Sequence, residues 1–348
     1  MKTAVFSARP YDRRSLNGAN ERAGRPHSLD FLDDLDSGSL TGPRLTPRSA
    51  GLASGYEAAC VFTNDDLSRE TLSALAEGGC QTVVLRCAGY NNLDIDSAKE
   101  LGFRVARVPA YSPHAVAEHT VGLLLSINRK IHRAHQRVRE QNFSLDGLLG
   151  SDLHGKTATV VGAGAIGAVL LRILQGFGCK VIAVDPNQSQ ELLAAGVEYR
   201  SLERALPSST IVCLTCPLND HTHRLINQKT ISLMPKGTLL VNTARGEVVD
   251  THALIQALKD DHFSGVALDV YEEEQGLFFE DRSSSILQDD TFARLLTFSN
   301  VLVTSHQAFF TREALDAIAA TTIENLSSIS KDGTPPNRNR IPGMPQPS

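Results

Sequence analysis

A chain of 348 residues is long enough for two domains, each with its own core. Its net charge of −5 offers no basic footprint for nucleic acid or an anionic membrane surface, and no apolar run nears the ~20 residues of a membrane span. The six cysteines (Cys60, Cys80, Cys87, Cys179, Cys213, Cys216) are scattered rather than framed for disulfides, which fits a reducing cytoplasm.

Met1–Ser7 reads as a first strand, with too short an apolar core for a signal peptide. From Asn17 to Ser54, Gly, Ser, Pro, Arg and Asp dominate, so the region reads as surface loop with one short strand or helix. Ala58–Phe62 and Thr82–Leu85 read as strands, with a helix over Leu67–Glu77 between them. After the small-residue turn Arg86-Cys-Ala-Gly-Tyr-Asn-Asn-Leu93 come a helix (Asp96–Leu101) and a strand (Arg104–Arg107). Pro109-Ala-Tyr-Ser-Pro113 breaks this α/β pattern and reads as a hinge. A single long helix is expected from Ala115 to about Gln141, apolar first and then basic, with the basic half taken as a solvated face.

The stretch from Lys156 to Pro186 carries the strongest signal. A β-branched strand (Thr157–Val161) leads into Gly162, Gly164 and Gly167, spaced G-x-G-x-x-G. A helical pattern and a second strand (Lys180–Val184) follow, ending in Asp185. Such a turn lets backbone N–H groups approach a pyrophosphate at a helix N-terminus, while the carboxylate meets a ribose. Asp185 would repel a 2′-phosphate, and Pro186, Asn187 and Gln188 supply no cation to hold one, so NAD is favoured over NADP. Further strands at 210–214, 238–242, 264–269 and 301–304 alternate with helical segments, the signature of a doubly wound parallel sheet. Cys213 and Cys216 have C-x-x-C spacing, but residues three apart on a strand face opposite ways, so a redox or zinc pair is not expected. Gln275–Asp290 reads as a longer loop, Thr311 to about Ile329 as a last amphipathic helix, and the tail after Gly333 as loosely held.

In open α/β sheets, ligands bind beyond the carboxyl ends of the strands. Three polar residues fall there: Arg245 in LLVNTARGEVVD, Glu274 in GVALDVYEEE and His306 in NVLVTSHQAFF. Together they suit hydride transfer to a 2-oxo acid. A guanidinium can hold the substrate carboxylate, an imidazole can give a proton to the carbonyl oxygen, and a carboxylate can hold that imidazole charged and oriented. Spacing alone leaves Glu272 and Glu273 as alternatives to Glu274. His114, His119, His132, His135, His221 and His223 read as ordinary surface or core residues.

From about Tyr56 onward the chain resembles the D-isomer-specific 2-hydroxyacid dehydrogenases, and among them the bacterial fermentative D-lactate dehydrogenases. The likeness rests on RCAGYNNLD, VPAYSPHAVAEH, VGAGAIG, LLVNTARGEVVD, ALDVYEEE, FFED and VLVTSHQAFF, in the family's order. It implies two Rossmann-like doubly wound domains with a cleft between them. Residues 1–110 and 309–348 would form a discontinuous substrate domain, and 111–308 the NAD-binding domain. Arg245, Glu274 and His306 correspond to the catalytic arginine, glutamate and histidine. Cys87, Ala88, Gly89 and Tyr111 correspond to substrate contacts. Cofactor contacts correspond to Ala165, Ile166, Asp185, Cys216, Pro217, Thr243, Ala244 and Asp269, beside the three glycines. Formate dehydrogenases fit less well, because they pair the histidine with glutamine. The chain departs from the family pattern between about Ala19 and Ser54.

The implied activity is reversible reduction of pyruvate to D-lactate by NADH, in a cytoplasmic homodimer or homotetramer with no metal, nucleic acid or membrane partner. The alternatives are another 2-oxo acid (phenylpyruvate, 2-oxoisocaproate, glyoxylate or hydroxypyruvate) and a non-catalytic dinucleotide-sensing protein.

Overall fold

Four-residue runs such as Ala58–Val61 and Thr82–Leu85 are buried at every position, the pattern of parallel strands covered on both faces. They belong to a computed structural model that describes residues 1–33 and 42–344. The chain divides into two units, Met1–Ser112 with Phe310–Ser348, and Pro113–Phe309.

In the first unit, β1 (Lys2–Val5), α1 (Pro10–Arg22), β2 (Ser28–Phe31), β3 (Ala58–Val61), α2 (Arg69–Glu77), β4 (Thr82–Leu85), α3 (Ile95–Glu100) and β5 (Arg104–Arg107) follow in order. The strands make one parallel sheet, β2-β1-β3-β4-β5, whose order reverses between β1 and β3. A C-terminal helix, Arg312–Asp332, returns to this sheet and packs Ala319, Ile323, Leu326 and Ile329 against Val5, Ala58, Cys60, Val84 and Ala106.

The second unit begins with α4 (Pro113–Arg129) and α5 (Ile131–Arg139), then β6 (Thr157–Val161), α6 (Ala165–Gly176), β7 (Lys180–Val184), α7 (Gln190–Ala194), β8 (Glu198–Tyr199) and α8 (Leu202–Ala205). It continues with β9 (Ile211–Leu214), α9 (Gln228–Leu233), β10 (Thr238–Asn242), α10 (Thr251–Lys259), β11 (Phe263–Leu268), α11 (Asp290–Leu296) and β12 (Val301–Val303). Its seven strands are parallel in the order β12-β11-β10-β9-β6-β7-β8. The order reverses between β6 and β9, where such sheets open a crevice for a ligand.

Four expectations need correction. Residues 17–22 are not loop but the end of α1. The mean polarity of that helix hides it, and it depends on Pro10 at its first turn, on Asp12 Oδ2 accepting from Arg9 N (3.0 Å), and on burial of Leu16 and Ala19. Further along, Leu45, Ala50 and Ala53 are buried rather than on the surface; the part of the expected loop at 34–41 lies outside the described residues. The single helix from Ala115 is two, because Lys130 adopts φ +51. There Asn128 Nδ2 turns to Ser151 O (2.6 Å) and Lys130 Nζ to Leu149 O (2.6 Å), so the chain leaves the sheet-packed face. The tail is held, not loose, as far as Met344. Asn339 is buried and donates to Asn325 Oδ1 (2.7 Å), Arg340 bridges Ala106, and Ile341 is buried. Residues 345–348 lie outside the described residues.

No described helix is long and apolar enough to cross a membrane. Burial pushes the Cys213 and Cys216 thiols up to about 12 and about 11, so neither is a thiolate at neutral pH. Among the described residues no group of three or more His, Cys, Asp or Glu is placed to hold a metal.

Candidate active site

The turn after β6 is built around close approach. Gly162 has φ +93, and a Cβ there would fall 2.6 Å from the backbone N and Cα of Cys216, across the switch point. A Cβ at Gly167 would lie 1.9 Å from Gly162 O, so helix and turn can touch only without a side chain. Gly164 differs: beyond its own neighbours along the chain, nothing lies within 4 Å of its Cβ position. Packing therefore explains Gly162 and Gly167, whereas Gly164 opens onto free space beside the N-terminus of α6, whose first N–H groups have no partner within the helix. Free backbone donors beside open space are what a dinucleotide pyrophosphate requires. Ala165 and Ile166 begin the helix, and Cys216 and Pro217 follow β9 on the neighbouring strand.

Asp185 ends β7 as expected, but its carboxylate also shapes the turn. Oδ2 accepts from Ala163 N (2.8 Å) and Oδ1 from Asn187 N (2.8 Å). It borders a cavity of about 780 Å³ that Arg200 and Arg204 also line. These cations come from beyond β8, a strand missed in the sequence, and Arg200 is held in a fork by Glu198 (2.5 and 2.7 Å).

Beyond β10, the Asn242 side chain clamps the turn that carries Thr243, Ala244 and Arg245. Its Oδ1 accepts from Ala244 N (3.0 Å) and its Nδ2 donates to Arg245 O (2.9 Å). Thr243 Oγ1 meets Thr120 Oγ1 of α4 at 2.8 Å. Arg245 is part-buried, with Nη1 donating to Ala244 O at 2.7 Å. Next to it, a Cβ on Gly246 would fall 2.0 Å from the Tyr271 carbonyl carbon. The Arg245 turn thus lies directly on the segment leading to Glu274.

On that segment it is Glu274 that meets the histidine. Glu272 is engaged by Arg224 Nη2 (2.7 Å), whereas Glu274 Oε1 lies 2.8 Å from His306 Nδ1, with about one-sixth of each side chain exposed. Glu274 Oε2 accepts from Tyr271 N (3.3 Å), which fixes the carboxylate from the other side. His306 follows β12 at φ +52, an uncommon region for a non-glycine residue and one that concentrates at functional sites. It is held there by its own N–H donating to Asp269 O (2.7 Å).

Asp269, 1% exposed, organises the whole turn. Oδ1 accepts from Thr304 Oγ1 (2.5 Å) and Gln307 N (2.9 Å), and Oδ2 from Ala308 N (2.9 Å). His119 Nε2, on α4, stands 3.4 Å from Oδ1 and 3.3 Å from Thr304 Oγ1. The sequence reading set His119 among the ordinary histidines; its contact needs one helix and two strand ends to meet, which no spacing reveals. Burial alone would raise the Asp269 carboxyl, but the bonds from His119, Thr304, Ala308 N and Gln307 N outweigh it and hold it below the usual carboxylate range. A depressed folded value means that this stabilisation is present above the ordinary carboxylate range, about pH 4, and is lost as pH falls through the folded value. Asp269→Asn is expected to lower Tm at pH 7 and to flatten this part of the decline toward pH 3, measured as Tm against pH.

In the first unit, Cys87, Ala88 and Gly89 follow β4. Ala88 O accepts from Arg107 Nη1 (2.8 Å) and Gly89 O from the Cys87 thiol (3.3 Å), so both carbonyls are turned onto the protein. Arg86, 1% exposed, anchors the turn through Ser7 O (2.8 Å) and Asp12 Oδ1 (3.3 Å) and stacks over Phe62. Tyr111 also belongs to this unit.

A glycine turn at the switch point, and an imidazole–carboxylate pair one strand from an arginine turn, define a dinucleotide-dependent dehydrogenase. The family model for D-isomer specific 2-hydroxyacid dehydrogenase, NAD binding domain, matches residues 121–308. D-lactate dehydrogenase of Escherichia coli is 48% identical over 97% of this chain and 99% of its own length. The apo-structure of D-lactate dehydrogenase from Escherichia coli aligns with a TM-score of 0.85 at 45% identity, covering 97% of this chain and 99% of that one. A D-lactate dehydrogenase with NAD+ from Lactobacillus jensenii aligns at 0.78 and 27% identity, covering 98% and 100%. The chain belongs to the D-isomer-specific 2-hydroxyacid dehydrogenase family. It is an NAD-dependent enzyme of that family.

Proposed function

We propose that the protein reversibly reduces pyruvate to D-lactate with NADH. The observation that carries this reading is the 2.8 Å contact between His306 Nδ1 and Glu274 Oε1 beside the Arg245 turn. The near full-length similarity to a D-lactate dehydrogenase supports the choice of substrate. Bound at the glycine turn, NADH supplies the hydride that reaches the ketone carbon. Glu274 occupies Nδ1, which leaves Nε2 to give the carbonyl oxygen its proton and, in reverse, to take it from the hydroxyl. Arg245 holds the substrate carboxylate in a planar fork and stabilises negative charge developing on the oxygen. We assign the first unit as the substrate domain, with Cys87, Ala88, Gly89 and Tyr111 as contacts, and the second as the cofactor domain.

Comparing kcat/KM for pyruvate, phenylpyruvate, 2-oxoisocaproate, glyoxylate and hydroxypyruvate, each with NADH and NADPH, tests the assignment. Pyruvate with NADH is expected to lead. A larger acid in first place would move the enzyme elsewhere in its family, and NADH binding with no turnover of any acid would favour a sensor.

We also propose a homo-oligomer in which a second copy covers α5 and the segment after it. Ile131, Val138, Phe143, Leu145 and Leu149 are all more than half exposed there, an apolar display that monomers seldom carry. Light scattering is expected to give a dimer or tetramer; a monomer at micromolar concentration would refute this. Six buried cysteines outside any disulfide fit a cytoplasmic location, and recovery in a membrane or secreted fraction would count against it.

A further inference from the structure

The loop between β11 and α11 supplies a second group to the imidazole besides Glu274. Phe279 sets its ring against His306, with centroids 5.6 Å apart and planes 34° from parallel. It does so at φ +69, where a bulky aromatic residue is a genuine outlier. Neighbouring Phe278 is buried, with its ring 5.7 Å from Phe292 in the core, and Leu277 N and Phe278 N both donate to Glu274 O (3.1 and 3.0 Å). One short, anchored segment therefore delivers both the carboxylate on the edge of the imidazole and the tilted phenyl ring beside it.

The two contacts constrain different motions. The imidazole is tethered at Cγ, and a single hydrogen bond at Nδ1 still leaves small coupled rotations about χ1 and χ2 that swing Nε2 through an arc. An aromatic ring held beside the imidazole, tilted 34° to it, limits that swing. Proton transfer needs the donor nitrogen within hydrogen-bond reach of the carbonyl oxygen, and loose placement is costly in rate. Backbone strain of this kind persists where surrounding structure enforces it, and it clusters at working sites.

We propose that Phe279 is a positioning residue for the acid/base step, locking the plane of the His306 imidazole so that Nε2 points to one place. The inference rests on His306 being the proton donor and adds a residue that spacing along the sequence does not single out.

The test uses Phe279→Ala, Phe279→Leu and Phe279→Tyr in the full-length enzyme, with pyruvate, NADH, and NADH deuterated at the transferred position. The Ala and Leu variants are expected to lose about tenfold or more in kcat while KM for pyruvate and Kd for NADH stay within about threefold. Their deuterium isotope effect on kcat should rise, because chemistry becomes slower than product release. The Tyr variant, which keeps the ring, should recover most of the loss. A role in folding alone would lower Tm and the active fraction but leave the isotope effect and the per-site kcat unchanged, and would overturn the proposal. So would a folded Leu variant with kcat within about twofold of wild type. If the Ala variant does not fold, the Leu and Tyr pair decides. An unmutated enzyme that reduces none of the 2-oxo acids would instead bring down the functional reading itself, an outcome distinct from a Phe279 that proves dispensable.

Discussion

Substituting Gln for His306 is expected to lower kcat for pyruvate reduction by about 10²–10⁴-fold, the usual contribution of a general acid. Glutamine retains a polar side chain of similar reach but cannot give up a proton at neutral pH. NADH binding should hardly change, because the glycine turn after β6 and the Asp185 turn are built by other contacts: Gly162 against Cys216, Gly167 against Gly162 O, and Asp185 with Ala163 N. The Asp269 bonds to Gln307 N and Ala308 N also remain, so the β12 turn should hold its shape. Fluorescence titration of NADH alongside steady-state kinetics separates these effects. A variant with wild-type turnover would remove His306 from the proton-transfer role, and one that no longer binds NADH would show that the substitution had disturbed the fold.

Arg245→Ala is the second large effect. Removing the guanidinium takes away both the fork for the substrate carboxylate and the positive charge beside the developing alkoxide. The loss in kcat is expected at about 10²–10³-fold, with a raised KM for pyruvate in addition. Arg245→Lys should recover only part of this, because an ammonium is a point charge without the two parallel donors of the planar fork. The turn itself should survive in both variants, since Asn242 grips it through the backbone of Ala244 and Arg245. Unchanged kcat and KM in the alanine variant would assign Arg245 to packing instead.

What could be read from the sequence follows from what was locally encoded. Strands buried on both faces write themselves as short apolar runs, so Thr82–Leu85 and Thr157–Val161 are found where expected; Lys180–Val184 and Arg104–Arg107, whose first residues are exposed, are found there too. In a parallel sheet, the residue after a strand necessarily lies at its carboxyl edge. Arg245 and His306 could therefore be chosen by position before any contact was known, whereas position left Glu272, Glu273 and Glu274 open and the family resemblance picked Glu274. Features made by tertiary contact were less legible. Helix α1 is polar and contains Asn17 and Gly18, and it depends on burial against the C-terminal helix. The break at Lys130 arises from side chains reaching across to residues 149–151. His119 touches Asp269 and Thr304 from more than 100 residues away in sequence, and Phe279 reaches His306 from a loop without periodicity. That Arg224 holds Glu272 while Glu274 meets His306 is likewise a matter of tertiary contact.

The same distinction applies to the glycines. Their spacing after β6 points to a nucleotide, but spacing cannot tell which glycine serves packing and which serves a ligand. The open space at Gly164, against the crowded positions of Gly162 and Gly167, makes that division. Gly246, inside LLVNTARGEVVD, has no glycine spacing to mark it, yet it lets the Arg245 turn rest on the Tyr271 carbonyl and so brings cation and carboxylate loops together.

The most direct test is chiral analysis of the product formed when the purified protein is given pyruvate and NADH. D-lactate, formed one for one with NADH consumed, is the expected result. L-lactate, or pyruvate left intact while NADH binds, would contradict the placement of Arg245, Glu274 and His306 around the reacting carbonyl.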